Sequence, residues 1–390
     1  MQADGETASL GAFVRYFLYL GTVGFGGPIV LAERMERDLV QDRRWLTPQD
    51  FKEGFALAQL APGPLAAQLA MYLGWVRGRV LGATMVGVAF IAPSFLMVLA
   101  LAALYVRFSG LPAIQGAFYG IGAAVIAIIG RSVYKLLRTT VGSDRLLWLI
   151  FTVSALVTAW TESESVWVFV ASGVVAMLVK APPSFEPDVH KRSALAVLPF
   201  LHAPTWLVSG FAGPAGAGVL GTILWYFSGA GLFVFGSGLA IIPFLHGGVV
   251  LRYHWLTERQ FLDAVAVSMI TPGPVVITVA FIGYLVAGVA GAVVAAIGVF
   301  VPVYFTVLIA APYFHRFAAN RSVKGFVDGV TAAAVGAIAG AAFVLARRAI
   351  TDAPTVLIAA VTLGLLLFVR KLPEPIVIAG AGLVGLAIHG

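Results

Sequence analysis

Two Pro-Gly-Pro triplets stand in the middle of apolar segments, at positions 62–64 and 272–274. Proline removes a backbone donor and clashes with the preceding turn, and glycine relaxes the backbone, so each triplet is expected to break a helix into two halves. The N-terminus of the second half would present unpaired N–H groups and the positive end of its dipole. Such a terminus binds anions, so the chemistry predicted here is non-covalent anion binding.

Polar and glycine-rich neighbours extend this candidate site. Gln59 and Thr271 precede the two triplets, and the Gly-Phe-Gly-Gly-Pro stretch at 24–28 has a counterpart at 235–238. Glycines let a backbone approach a ligand closely, but they equally serve helix packing, and Pro-Gly-Pro can simply kink a membrane helix. The occurrence of both triplets at matched positions favours a site. The predicted substrate-binding residues are Phe25, Gly26, Gly27, Pro28, Gln59, Pro62, Gly63, Pro64, Phe235, Gly236, Ser237, Gly238, Thr271, Pro272, Gly273 and Pro274.

Residues suited to other chemistry are few. The absence of cysteine excludes disulfides, thiolate metal sites and cysteine nucleophiles. The six histidines form no spaced metal pair, and no nucleophile stands beside a base in sequence. We therefore predict no metal, no cofactor and no enzymatic catalysis. Four ionisable residues fall within apolar spans, and their places near span ends favour snorkelling or capping: Arg15, Arg131, Asp263 and Asp328.

The composition indicates that most of this chain lies in a lipid bilayer. Of its 390 residues 60% are hydrophobic and 11% charged, and the mean hydropathy is +0.96. Apolar stretches long enough to cross a hydrocarbon core of about 30 Å recur from Leu10 onward, and none alternates as a barrel strand would. The sequence predicts an all-α polytopic membrane protein. Its basic residues lie in short clusters between spans, so no nucleic acid is expected, and no removable signal peptide is predicted at the N-terminus.

The chain repeats itself. An offset of 210 aligns Phe25-Gly26 with Phe235-Gly236, the Trp-Leu-Thr stretch at 45–47 with that at 255–257, and the two Pro-Gly-Pro triplets. At an offset of 209 the match continues, with Gly74 on Gly283 and Pro93 on Pro302. Duplicated halves are common in secondary transporters, whose sites lie between the repeats. The predicted organisation is a first repeat at 1–180, a linker at 181–218 and a second repeat at 219–390.

Basic residues indicate how the halves face. With spans near 10–32, 80–106, 112–137, 145–161 and 165–180, and with 54–73 entering and leaving on one side, most basic residues of the first half fall on one face, which is cytoplasmic by the positive-inside rule. If segment 54–73 crossed fully, that bias would be lost. The second half then starts inside, where the first starts outside. We therefore predict two inverted-topology repeats with paired re-entrant or broken helices.

These motifs resemble one known family. Phe-Gly-Gly-Pro at 25–28, Trp-Leu-Thr at 45–47, Gln-Leu-Ala-Pro-Gly-Pro at 59–64 and their echoes in the second half are similar to the chromate ion transporter family of the long-chain, two-domain type. Ser237 replaces the middle one of three glycines that are usual in that family. The resemblance implies export of chromate from the cytoplasm through the bacterial inner membrane, and chromate resistance. The partners expected are chromate, its analogue sulfate, the lipid bilayer and, as one assembly, a homodimer.

Energetics agree with export. A dianion that leaves a cell with a negative interior gains about 4.6 kcal/mol per 100 mV, from roughly 2.3 per charge. No proton relay is then required, which fits the scarcity of buried carboxylates, and transport driven by the membrane potential is predicted. Three alternatives stay open from the residues: uptake or exchange of sulfate or another oxyanion, a passive anion channel, and a membrane enzyme that acts on lipid phosphates.

Overall fold

The computed structural model describes residues 8–108, 111–162, 166–180, 217–232, 234, 241–313, 320–369 and 372–389. Helices make up nearly all of these residues, and no strand occurs among them. The predicted linker lies outside the described residues, apart from its last two positions. The predicted site residues Phe235, Gly236, Ser237 and Gly238 also lie outside them.

Seven helices are described in each half. Those of the first half are α1 (Leu10–Val23), α2 (Pro28–Glu36), α3 (Pro48–Leu60), α4 (Leu65–Phe108), α5 (Pro112–Thr140), α6 (Arg145–Thr161) and α7 (Val166–Lys180). Those of the second half are α8 (Ala217–Leu232), α9 (Ile241–His246), α10 (Glu258–Ile270), α11 (Thr278–Ala310), α12 (Arg321–Ala349), α13 (Ala353–Phe368) and α14 (Glu374–His389). Wider π-helical turns extend α2 over Arg37–Asp42 and α9 over Gly247–Arg252, and a 3₁₀ turn, Val275–Ile277, precedes α11.

Four of the described helical segments are long and apolar enough to cross a membrane. They are Leu65–Phe108, Pro112–Thr140, Val275–Tyr313 and Arg321–Ala349. Six shorter apolar helices accompany them. The prediction of an all-α polytopic membrane protein is therefore confirmed.

The chain turns back at the first Pro-Gly-Pro triplet. The Tyr72 hydroxyl on α4 lies 3.4 Å from Glu53 Oε2 on α3, and Gly54 packs against the side chains of Tyr72 and Leu69. Residues on either side of the triplet thus meet, so α3 and the start of α4 run antiparallel. This is the hairpin that a segment entering and leaving on one side requires. In the second half α10, a break at the triplet and α11 follow in the same order.

The chain reverses again within each of the long helices α4 and α11. Gly78 and Arg79 leave helical geometry in α4, and Ala287 and Gly288 do so in α11. Gly74 and Gly82 flank the reversal in α4, and they pack so closely that a Cβ on either would collide with the carbonyl oxygen of the other. The helix that begins after this turn matches the span predicted at 80–106.

The predicted continuous span at 10–32 is wrong. α1 ends at Val23, and the chain is non-helical from Gly24 to Gly27 before α2 begins at Pro28. Gly26 has a φ of +112°, which is outside the helical region and open mainly to glycine. Proline at the first helical position lacks the N–H that would continue the preceding helix. The first half therefore has a second break close to the first.

The two halves share one hydrophobic core. Buried side chains of α1 and α4 and of α8 and α11 form a single cluster, with Phe17, Phe90, Phe227 and Phe281 among its fully buried members. Elsewhere helices cross between halves: α12 packs on α6 and α7, and α14 packs on α5. Because each half covers apolar faces of the other, the breaks of both are brought to one central region.

Candidate functional site

Each Pro-Gly-Pro break is held by the opposite half of the molecule. The Gly63 N–H donates to the Val234 carbonyl oxygen at 2.6 Å, and the Gly273 N–H donates to the Gly24 carbonyl oxygen at 2.8 Å. Donors and acceptors are both related by the offset of 210 that aligns the sequence. A backbone N–H at a break would otherwise lack a partner in a water-poor region. The break of each half is thus hydrogen-bonded to the other half, and the two hydrogen bonds are equivalent.

Both central positions of the triplets require glycine. Gly63 has a φ of +140° and Gly273 a φ of +100°, where a Cβ is strongly disfavoured. A Cβ on Gly63 would also lie 2.5 Å from Gln68 Nε2 and 2.9 Å from Val303 Cγ1. On Gly273 it would collide with the Ser94 hydroxyl. Ser94 and Val303 are themselves equivalent at an offset of 209, so each glycine abuts the same helix of the other half.

Three helical segments begin around one small gap in this region. α2 begins at Pro28 with Gly27 as a cap that supplies no side-chain hydrogen bond, α4 begins at Leu65, and the 3₁₀ turn begins at Val275. A gap of about 10 Å³ separates them. It is lined by Gly26, Pro28, Leu31, Pro64, Ala66, Gly273, Pro274, Val275 and Val276. The positive dipole ends of these segments therefore converge, each contributing about 0.3–2 kcal/mol to a nearby negative charge.

A larger cavity of about 180 Å³ adjoins this gap. Four elements line it: residues 26–30 at the start of α2, the latter part of α5, the break at 271–275 and the start of α14. From α5 come Arg131, Ser132 and Lys135. Two cationic side chains and the unpaired N–H groups of a helix start make this cavity suited to an anion.

One carboxylate also lines the cavity. Glu374 Oε1, on the first residue of α14, lies 3.6 Å from Arg131 Nη1, and the two side chains are 31% and 37% exposed. Lys135 is exposed on the same face of α5, four residues from Arg131. The described lining thus carries two formal positive charges and one negative charge. Its net charge favours anions over cations.

The predicted site residues divide into three groups. Gly26, Gly27, Pro28, Thr271 and Gly273 line the larger cavity, and Pro64 and Pro274 line the gap beside it. The remaining described residues, Phe25, Gln59, Pro62, Gly63 and Pro272, line neither space. Pro62 and Gly63 form the turn itself, whereas Gln59 is exposed on α3 and Phe25 is 44% exposed. Roles for Gln59 and Phe25 stay predictions.

Sequence reasoning missed four residues at the site. The positive-inside rule puts Arg131 and Lys135 at a span end on the cytoplasmic side, although their spacing puts both on one helix face, and no motif points to Glu374. Gln68 was overlooked in an apolar run. It is fully buried, its Nε2 donates to the Pro62 carbonyl oxygen at 2.7 Å, and its Oε1 has no hydrogen-bond partner in the described part of the chain. A lone amide inside an apolar segment was the available signal.

Asp263 lies apart from this cavity. It was interpreted as a span-end residue, but its side chain on α10 is buried and accepts a hydrogen bond of 2.7 Å from the Tyr105 hydroxyl. It therefore has a partner within the protein. No group of three histidine, aspartate or glutamate side chains among the described residues is placed to hold a metal ion.

Apolar helices, broken hairpins that cross between two halves and a charged cavity beside them are features typical of a membrane transporter. The sequence comparisons then give the family. The chain belongs to the chromate transporter family, whose sequence model matches residues 11–177 and 221–386. This is a family of transporters and not of enzymes.

Full-length relatives support this assignment. The chain is 55% identical over 391 residues to a chromate transport protein of Cupriavidus metallidurans, covering 98% of this chain and 94% of the relative. It is 50% identical to a probable chromate transport protein of Synechococcus elongatus, covering 97% and 95%. A chromate transport protein of Pseudomonas aeruginosa is 34% identical, covering 95% and 90%. No solved structure matches the chain.

Proposed function

We propose that this protein exports chromate from the cytoplasm across the bacterial inner membrane and so gives chromate resistance. Relatives that are 55% and 34% identical bear the name chromate transport protein. The observation that carries the proposal is the cavity in which Arg131 and Lys135 face the start of α2 beside the second Pro-Gly-Pro break. A tetrahedral oxyanion needs several donors from different directions, and this cavity offers two cations and backbone N–H groups.

The proposed topology is an inverted repeat. The Thr84 hydroxyl on α4 lies 2.6 Å from the Tyr304 hydroxyl on α11. Tyr304 lies eleven residues beyond Val293, which is the equivalent of Thr84 at an offset of 209. Equivalent helices that ran parallel about a twofold axis would instead bring Thr84 next to Val293. The contact therefore supports an antiparallel crossing of the two helices.

Ion pairs at the two ends of the molecule agree with the same topology. Arg348 contacts both Glu162 and Glu258, three groups that the inverted arrangement places outside the cell. Lys180 Nζ lies 2.6 Å from Asp144 Oδ2, and the arrangement places both groups in the cytoplasm. A different orientation of the second half would separate the partners of Arg348 by the width of the membrane. The repeat boundaries at 180 and 219, and the homodimer, stay predictions.

The position of the cavity supports the proposed direction of transport. Arg131 and Lys135 stand in the last third of α5, which approaches the cytoplasm in the proposed topology, and Glu374 begins a helix on that side. An anion would thus enter from the cytoplasm. Its outward movement is favoured by about 4.6 kcal/mol per 100 mV for a dianion. We infer that the membrane potential drives export.

Chromate flux into everted membrane vesicles tests this function. Everted vesicles turn export into uptake, and their interior is positive during respiration. We expect chromate uptake that requires the protein and slows when an ionophore collapses the potential. Uptake that is unchanged without a potential would exclude the proposed driving force, and no uptake of chromate at all would exclude the substrate.

Sulfate or another oxyanion is the second candidate substrate. The cavity offers positive charge and hydrogen-bond donors to any tetrahedral oxyanion, and nothing in its described lining is specific to chromium. Purified protein in liposomes, offered chromate, sulfate and molybdate in turn, would rank them. Sulfate transport with a higher kcat/KM than chromate would make chromate a secondary substrate.

A further inference from the structure

Glu374 is an unusual residue for an anion cavity. It is the only carboxylate among the described residues that line the cavity, and it faces the guanidinium of Arg131 from a different helix. A carboxylate repels an incoming oxyanion and occupies the cation that would bind it. Its presence therefore lowers the affinity of the cavity for anions.

The geometry shows that this pair is loose. The separation of 3.6 Å between Arg131 Nη1 and Glu374 Oε1 exceeds the 2.7–2.9 Å of a charge-assisted hydrogen bond. Both side chains keep about a third of their surface exposed. Neither group is enclosed by packing, so the pair can separate without opening the core.

Glu374 keeps a second stabilising interaction when it separates from Arg131. It is the first residue of α14, and a carboxylate in the first turn of a helix is stabilised by the positive end of the helix dipole. Released from Arg131, its charge would remain at the start of α14. Arg131 would then be free for an oxyanion that Lys135 and the first turn of α2 contact from other sides.

We propose that Glu374 is a tethered competitor of the transported oxyanion: it pairs with Arg131 when the cavity is empty and is displaced when the anion binds. This inference rests on the proposed function and deepens it. The apparent Kd equals the intrinsic Kd divided by the fraction of time that Arg131 is free of Glu374. A competitor of this kind keeps affinity low enough for the anion to leave.

Equilibrium dialysis of chromate against the purified full-length protein tests the proposal. Glu374→Gln keeps the shape of the side chain and removes its charge, so the Kd for chromate should fall by roughly 2- to 10-fold. A structural role alone would weaken binding or leave it unchanged. The matched control is Asp328→Asn, which removes a carboxylate 3.9 Å from Lys180, outside the cavity, and should leave the Kd as in the wild type.

A second variant separates competition from simple charge repulsion. In an Arg131→Gln background Glu374 has lost the cation with which it pairs and keeps only the charge of Lys135 nearby, so adding Glu374→Gln should lower the Kd less than it does in the wild type. An equal gain in both backgrounds would overturn competition at Arg131, and so would an unchanged or weaker Kd for Glu374→Gln in protein that elutes as the wild type does. If the wild type binds no chromate, the proposed substrate fails, and with it this inference.

Discussion

The two halves of the molecule have equivalent backbone arrangements but differ in their charged residues. Gly63 and Gly273 make equivalent hydrogen bonds across the molecule, and α4 and α11 reverse at equivalent positions. The charged residues of the cavity have no such match. The equivalents of Arg131 and Lys135 at an offset of 209 are Gly340 and Val344.

The use of these positions in the second half explains the difference. A Cβ on Gly340 would collide with the Ala155 carbonyl oxygen, so this position serves the close approach of α12 to α6. Val344 is 4% exposed and belongs to the packed interior. Both halves therefore contribute the hydrogen-bonded breaks that duplication produced, whereas one half alone supplies the described cationic groups of the cavity.

The largest effect is expected from variants that strain the backbone at the two Pro-Gly-Pro breaks. Gly63→Ala and Gly273→Ala should each lower chromate transport by at least about 10-fold, since a positive φ costs roughly 1–2 kcal/mol before any collision. The larger loss is expected at Gly273, where the added Cβ would overlap the Ser94 hydroxyl, whereas the nearest atom to a Cβ on Gly63 is Gln68 Nε2 at 2.5 Å. Vesicle flux, normalised to inserted protein, measures both.

The matched control for these variants is Gly229→Ala. Gly229 is in the interior of α8, and a Cβ there meets no atom within 4 Å. Transport should stay normal in this variant. Normal transport by both triplet variants would contradict the role of the two breaks.

The second test concerns the charges that only the first half supplies. Arg131→Gln and Lys135→Gln should each raise the KM for chromate by roughly 10- to 100-fold, because a hydrogen bond to a charged group contributes about 1.5–3 kcal/mol. Arg138→Gln, on the same helix but outside the described cavity lining, should leave KM unchanged. Initial flux against chromate concentration gives the values. Equal effects at Arg131 and Arg138 would show that only the overall charge of α5 matters.

The smallest expected effect is at the ion pair of the cytoplasmic end. The hydrogen bond from Lys180, aided by backbone N–H groups, lowers the pKa of Asp144 below its usual 3.8. Asp144 therefore adds stability above that pH, and loses it as the pH falls through the lowered pKa. Asp144→Asn keeps the helix cap, so it should cost only about 0.2–1 kcal/mol at pH 7.

Thermal unfolding of the purified protein between pH 3 and pH 7 measures this contribution. The difference between wild type and Asp144→Asn should be constant above pH 5 and shrink below about pH 4. A difference that persists in acid would assign the effect to the cap rather than to the charge of Asp144.

The sequence predicted the parts of the fold that depend on local chemistry. Proline and glycine act on the backbone where they stand, so the sequence predicts the breaks at both Pro-Gly-Pro triplets and a span that begins near position 80. The span at 10–32 was misjudged because its hydropathy continues across Gly24–Pro28, while the backbone does not. The face of a helix is harder to assign, and Gln59, adjacent to the break in sequence, is exposed.

The cavity could not be predicted because its walls come from distant parts of the chain. Arg131 meets Glu374 only because α14 packs on α5, and both meet α2 only because the halves interlock. Hydropathy assigns such residues to span ends and carries no record of their neighbours. Long-range packing therefore decided which charges belong to the site.

The reciprocal hydrogen bonds also constrain how the protein is made. Gly63 donates to Val234, a residue that follows it by 171 positions. At the roughly 5–20 residues per second of synthesis, Val234 is made about 10 to 30 seconds after Gly63, so the Gly63 N–H lacks this acceptor for that time. During that time the first hairpin is a membrane segment with an incomplete turn. The final conformation of the first half is therefore reached only after translation of the second half has begun.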